Sequence, residues 1–324
     1  MLQPLSINRI LPIKVFRANA LLGGLAWLAI GATLWPEWVV MILLFAPLVC
    51  IPLGLALLID QEEQGRVSRL WLPLTLAQPI GAVSLVASFA APAGWFAALL
   101  ALPWLLVTAI IAILGLVRLM KVGLRRLPDL SLAVAMIFLV IGGGWTVLSR
   151  YGARPLDFSD IIVLLTGVHF HYAGFALPVL IGLAGQSLPD RQSNGAVLGI
   201  ISGVPLVAIG ITVGRYAPLI EAMTALWLTG TCLLVALIQA RSAALSASIL
   251  RRVLLYLSSF FILAGMALAG VYGVKSFLGK SWLEIDTMIL WHGSINSFGF
   301  AFLGLLGQTI GSETKKAWIE PSCT

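Results

Sequence analysis

The sequence predicts an all-α protein: a polytopic transmembrane helix bundle of about ten helices, with both termini cytoplasmic. Three observations carry that prediction. Of the 324 residues, 60% are hydrophobic and only 10% charged, at a mean hydropathy of +1.03. A soluble domain carries about 25% charged residues, so lipid must solvate most of this chain. Apolar runs long enough to cross about 30 Å of hydrocarbon recur along the whole length. The Lys and Arg residues sit in short segments between those runs, where membrane-orientation signals lie.

Taken in order, the runs cover 18–34, 39–59, 71–91, 95–117, 130–148, 161–185, 195–213, 218–240, 253–271 and 288–310. Trp35, Trp38, Trp71, Trp95, Trp282, Trp291 and Trp318 mark their ends, where an amphipathic indole suits the headgroup region. If the N-terminus is inside, the inner segments hold Arg9, Lys14, Arg17, Arg66, Arg69, Arg118, Lys121, Arg125, Arg126, Arg191, Arg241, Arg251, Arg252, Lys315 and Lys316. The outer segments hold only Arg150, Arg154, Arg215, Lys275 and Lys280. The positive-inside rule then puts both ends in the cytoplasm. The expected organisation is a cytoplasmic segment (1–17), one transmembrane domain (18–310) and a cytoplasmic tail (311–324). Segment 1–17 lacks the long apolar core and small-residue cleavage site of a signal peptide, so it is read as retained.

The net charge of +7 and pI near 9.7 do not point to nucleic acid, because the basic residues follow the loops rather than one surface. Cys50 and Cys232 lie in apolar runs and Cys323 in the tail; without CxxC spacing they read as small apolar fillers, not a disulfide or a thiolate zinc site.

Chemistry centres on the 3 histidines, His169, His171 and His292, all within expected spans. A histidine in a membrane helix is uncommon and faces the bundle interior or a cavity. Counting from the outer ends, His169 lies about 12 Å deep, His171 about 15 Å and His292 about 6 Å. Asn296 follows His292 at i+4 on the same face. Asp157 and Asp160 stand at the mouth of the sixth span, Glu221 just inside the eighth, and Glu284 and Asp286 before the tenth. An outward-facing polar pocket lined by the sixth, eighth and tenth spans accounts for this grouping. Its substrate or proton pathway would use His169, His171, Tyr172, His292, Asn296, Asp160 and Glu221.

Spacing constrains the histidines. His169 and His171 stand about 200° apart around a regular helix and cannot share one metal ion without an unwound turn. Gly167, Gly174 and Pro178 favour a local kink beside them. No resident cofactor is expected; a transition metal or haem on His169, His171 and His292 is the alternative. A purely structural role, hydrogen bonding to a neighbouring helix, competes with both. Gly142-Gly143-Gly144 lacks the lysine and strand of a phosphate loop and reads as close helix packing. Gln78 reads as a packing hydrogen bond, and Asp60, Glu62 and Glu63 as a solvated loop. A faint internal echo links His171-Tyr172-Ala173-Gly174-Phe175-Ala176 to Asn296-Ser297-Phe298-Gly299-Phe300-Ala301, each followed by Gly-Gln-Ser or Gly-Gln-Thr; Gly, Phe and Ala are common in membrane helices, and that is the favoured account of the likeness.

His169-Phe170-His171-Tyr172 resembles a segment of cytochrome oxidase subunit I, whose histidines ligate two haems on opposite sides of one helix. That enzyme needs more histidines than the 3 present, so oxidase is rejected. The longer motif from His169 through Pro178, together with His292-Gly293-Ser294-Ile295-Asn296-Ser297-Phe298-Gly299-Phe300, resembles the YndJ-like family of bacterial membrane proteins. The resemblance implies a multi-pass protein of the plasma (inner) membrane and supplies no reaction.

The expected function is a transporter or permease for a small molecule or ion, with the lipid bilayer as its other partner. The alternatives are a membrane-embedded metal- or haem-binding enzyme or redox protein, and a non-catalytic assembly component with structural histidines. Enzymatic activity is not the favoured reading. The chain has no nucleotide motif or soluble domain to drive an ATP-powered pump.

Overall fold

A computed structural model describes residues 7–34, 36–62, 69–280 and 283–317. Among them, ten helices are long and apolar enough to cross a membrane: Ile10–Leu34, Trp38–Asp60, Trp71–Phe89, Trp95–Val122, Leu127–Tyr151, Asp160–Gln186, Arg191–Val213, Pro218–Ala244, Ile249–Lys275 and Ile285–Ile310. They are the ten expected runs in the expected order, and no strand occurs among the described residues. Most helices outlast their apolar runs, since backbone hydrogen bonding continues past the point where charged residues begin. The first helix starts as early as Ile7 and accommodates Pro12 near its beginning. Trp35, Glu63, Arg66, Trp282, Trp318 and Cys323 lie outside the described residues.

The chain divides into two compact units. One comprises Met1–Lys121, Ala135–Ala176 and Ser312–Thr324; the other comprises Val122–Val134 and Leu177–Gly311.

In the first unit the second span is buried throughout Val39–Ile59. From Val39 to Ile59 it has no charged or amide side chain, and a helix that is apolar all round belongs in an interior. Its proline pair disturbs the backbone ladder. The helix is π-helical over Ala46–Cys50, where the Ile51 N–H reaches back to the Ala46 carbonyl and the Ala46 N–H turns to Leu43. Pro47 and Pro52 have no N–H to offer. The carbonyls of Ile42 and Pro47 therefore lose their helical donors, a costly state where no water can reach. Other spans replace them: Tyr172 Oη donates to the Ile42 carbonyl at 2.7 Å, and Gln78 Nε2 to the Pro47 carbonyl at 2.7 Å. Trp71 is not an interfacial anchor. It is 1% exposed and packs edge-on to Phe16 at 6.5 Å, whereas Trp38, Trp95 and Trp291 are exposed as an interface requires.

The second unit joins the seventh to tenth spans with the end of the sixth. Small residues let its helices approach: Gly199, Gly203 and Gly210 lie against Thr231, Leu228 and Thr224 of the eighth span. A buried relay ties three spans together. Gln239 Nε2 donates to Ser258 Oγ at 2.8 Å, and Ser258 Oγ donates to the Phe300 carbonyl at 2.7 Å. Cys50 and Cys232 are buried free thiols. Leu21, Leu22, Leu25 and Leu28 illustrate the exposed apolar surface that a bilayer would cover.

Candidate functional site

The sixth span runs as an α-helix over Asp160–His171, turns π-helical over Tyr172–Ala176 and resumes as α-helix over Leu177–Gln186. The local departure expected beside the histidines is this wide turn. His169 and His171 face apart, as their spacing requires: His169 is exposed and His171 fully buried.

The surroundings of His171 define its chemistry. Its Nδ1 lies 2.7 Å from the Gly167 carbonyl, and Trp104 Nε1 lies 2.9 Å from its Nε2. A carbonyl only accepts and an indole N–H only donates. The proton therefore sits on Nδ1, and the Nε2 lone pair receives Trp104. The two rings are within 16° of parallel, with centroids 5.9 Å apart. Gly142 makes room, for a Cβ there would lie 2.8 Å from His171 Nδ1. So placed, His171 is a neutral bridge between two helices, with no lone pair left for a metal.

The other candidates of this unit are separate from it. His169 Nδ1 lies 2.7 Å from the Leu165 carbonyl, and Tyr172 is spent on the second span. Asp160 forms a two-point, exposed ion pair with Arg154, at 2.7 and 2.5 Å.

In the second unit the tenth span is π-helical over Met288–Gly293 and again over Ile295–Phe302. His292 Nδ1 lies 2.8 Å from the Gly265 carbonyl of the ninth span, which assigns the proton to Nδ1. Asn296 Nδ2 donates to the His292 carbonyl at 2.9 Å and rests 3.2 Å from His292 Nδ1. The amide lies over Gly265, where a Cβ would meet its Oδ1 at 2.7 Å. Both side chains are half-buried. Glu221 occupies the first turn of the eighth span, a favourable place for an acid. It is half-buried, with its carboxylate beside Gly214.

The structure thus brings His292 and Asn296 together, while His169, His171, Tyr172 and Asp160 belong to the first unit. Among the described residues, no group of three His, Cys, Asp or Glu side chains is disposed to hold a metal ion.

Sequence reasoning missed Trp104 and Gly265. Trp104 had a readable signal: it stands deep in an apolar run, far from the interface that indoles favour, so its N–H needs an interior acceptor. The loop reading of Asp60, Glu62 and Glu63 is corrected at Glu62. Arg118 of the fourth span comes within 3.5 Å of it, and both side chains are largely buried. The glycine triplet packs as expected at Gly142, against Phe170 and His171, and at Gly143, against Thr108. Gln78 makes the expected packing bond. The echo between the sixth and tenth spans has a conformational counterpart, since both segments are π-helical.

These features define a class, the multi-pass α-helical membrane proteins. The model of the YndJ-like protein family matches residues 41–300, and the chain belongs to that family. It is 28% identical over 237 residues to YndJ of Bacillus subtilis (strain 168), described as an uncharacterized membrane protein. The match covers 72% of this chain and 41% of that protein, so the chain spans about two fifths of its relative's length. No solved structure matches it.

Proposed function

We propose that this chain is a secondary transporter or permease of a bacterial plasma membrane, with its solute- or proton-handling site centred on His292 and Asn296. The observation that carries this reading is the π-helical stretch holding the pair, Met288–Gly293 and Ile295–Phe302. Wide turns are rare and occur mostly at functional sites. Irregular membrane helices expose the backbone groups with which transporters bind small solutes and ions. An imidazole exchanges protons near neutral pH, and an amide one turn away supplies both a donor and an acceptor. Polar side chains at such depth mark substrate or proton pathways by default. The basic-residue pattern supports cytoplasmic termini.

Proton flux in proteoliposomes tests it. Under an imposed pH gradient with the membrane potential clamped, wild-type protein should speed proton equilibration above the rate of protein-free vesicles. The His292→Ala and Asn296→Leu variants should return it towards that rate. Wild-type vesicles no faster than empty ones, or variants as fast as wild type, would overturn the assignment.

A further inference from the structure

The first turn of the ninth span carries charge of the wrong sign. A helix N-terminus bears partial positive charge and favours anions, yet the helix Ile249–Leu278 has no acidic residue in its first turn. It carries Arg251 and Arg252 there. Ser248 Oγ accepts the Arg251 backbone N–H at 3.3 Å and caps the helix, and among the described residues no carboxylate pairs with either guanidinium. A guanidinium presents five N–H donors, and few are used here. Arg251 Nη2 donates to Gln308 Oε1 at 3.0 Å, and Arg252 Nη2 to the Ser246 carbonyl at 2.7 Å. Among the described residues, Arg251 Nε, Arg252 Nε and Gln308 Nε2 are enclosed without an acceptor. Gln308 is 6% exposed, and its amide is held against Arg251, so its unfilled donor belongs to the same cluster.

The sixth span handles the same residues differently. The sixth span ends on the same Gly-Gln pattern, and there Gln186 Nε2 donates to Asp129 Oδ1 at 2.6 Å. Asp129 occupies the first turn of its own helix. At that end the protein supplies the anion; at Gln308 it supplies Arg251, with Arg252 next to it in the chain, and no ion pair joins either arginine to a carboxylate among the described residues. Leu245, Ile249 and Leu250 beside the arginines are 67%, 74% and 58% exposed. Apolar faces flanking cations at the end of a membrane span fit a phospholipid, with its chain on the leucines and its phosphate on the guanidinium groups.

We propose that Arg251, Arg252 and Gln308 form a phosphate-binding site, occupied by the headgroup of an anionic lipid. The test uses the full-length protein in detergent, with native mass spectrometry and thermal unfolding. The probes are phosphatidylglycerol, phosphatidylcholine and inorganic phosphate. Phosphatidylglycerol should remain bound and raise Tm where phosphatidylcholine does neither. The Arg251→Gln, Arg252→Gln double variant should weaken it by about tenfold or more. Gln308→Leu removes a donor without touching charge, and should weaken it several-fold even if the double variant does not fold. Equal protection by inorganic phosphate would keep the site and assign its occupant to free phosphate. Equal retention of both lipids, or phosphatidylglycerol binding unchanged in the variants, would overturn the proposal.

Discussion

His171 and His292 are the same side chain in two spans that both turn π-helical, yet their surroundings ask different things of them. His171 is fully enclosed, with one nitrogen on Gly167 and the other on Trp104. His292 is half-buried, with Nδ1 held by Gly265 and an amide at its shoulder. Depth in the membrane alone does not tell the two apart; their burial and the groups each ring meets do. A π-turn can serve either end. In the sixth span it adjoins a closed bridge, and in the tenth it carries a partly open polar pair.

Removing each ring separates the two histidines most directly. His171→Ala should cost about 3 kcal/mol, because it leaves a cavity and strands the buried Trp104 N–H. His292→Ala should cost about 1 kcal/mol, while abolishing the proposed flux. Unfolding in mixed detergent micelles measures both, and equal losses would mean the two sites are not different in kind. Gly142→Ala should cost about 2 kcal/mol, since its Cβ would press on the imidazole from 2.8 Å. A shift in Trp104 fluorescence should accompany that loss.

A finer cut is Trp104→Phe. Most of the packing stays, but Nε2 of His171 loses its donor, at a cost of about 1–2 kcal/mol. Nitrogen NMR of labelled histidine should show the Nδ1–H tautomer at His171 in wild type and a mixture in the variant. A wild-type Nε2–H signal would contradict the assigned bridge. Tyr172→Phe should cost about 1 kcal/mol by stranding the Ile42 carbonyl; no change there would mean that another donor reaches it.

All ten spans were legible in the sequence, because a bilayer imposes length and hydropathy directly on each run. Trp71 was misread because hydropathy marks where a helix ends and says nothing of what covers it; Phe16, far away in sequence, does. The divergence of His169 from His171 was legible from helical periodicity alone. The partners that His171 and His292 find in other spans were not, since Trp104 and Gly265 come from elsewhere in the chain and pairing depends on which faces meet. The π-helical segments were half-legible. Pro178 and the glycines signalled a departure near His171, while the one near Asn296 was not anticipated. The fate of the freed carbonyls at Ile42 and Pro47 depended on Tyr172 and Gln78, and required the fold.

The smallest expected effect concerns Asp160, which shares the sixth span with His171 but stands at its N-terminal end. Its ion pair with Arg154 is well formed in geometry, and both side chains are more than half exposed, at 64% and 66%. Exposed pairs gain little, because water and salt screen the attraction and two side chains must be held still. Asp160→Asn should therefore leave Tm unchanged within error at physiological ionic strength. Proton flux in vesicles should be unchanged too if the pathway runs through His292 and Asn296. A flux loss with Tm intact would bring Asp160 into the pathway and move the working site towards the mouth of the sixth span. Loss of both would mean that the Arg154–Asp160 clasp, rather than the Trp104–His171 bridge, fixes this span in place.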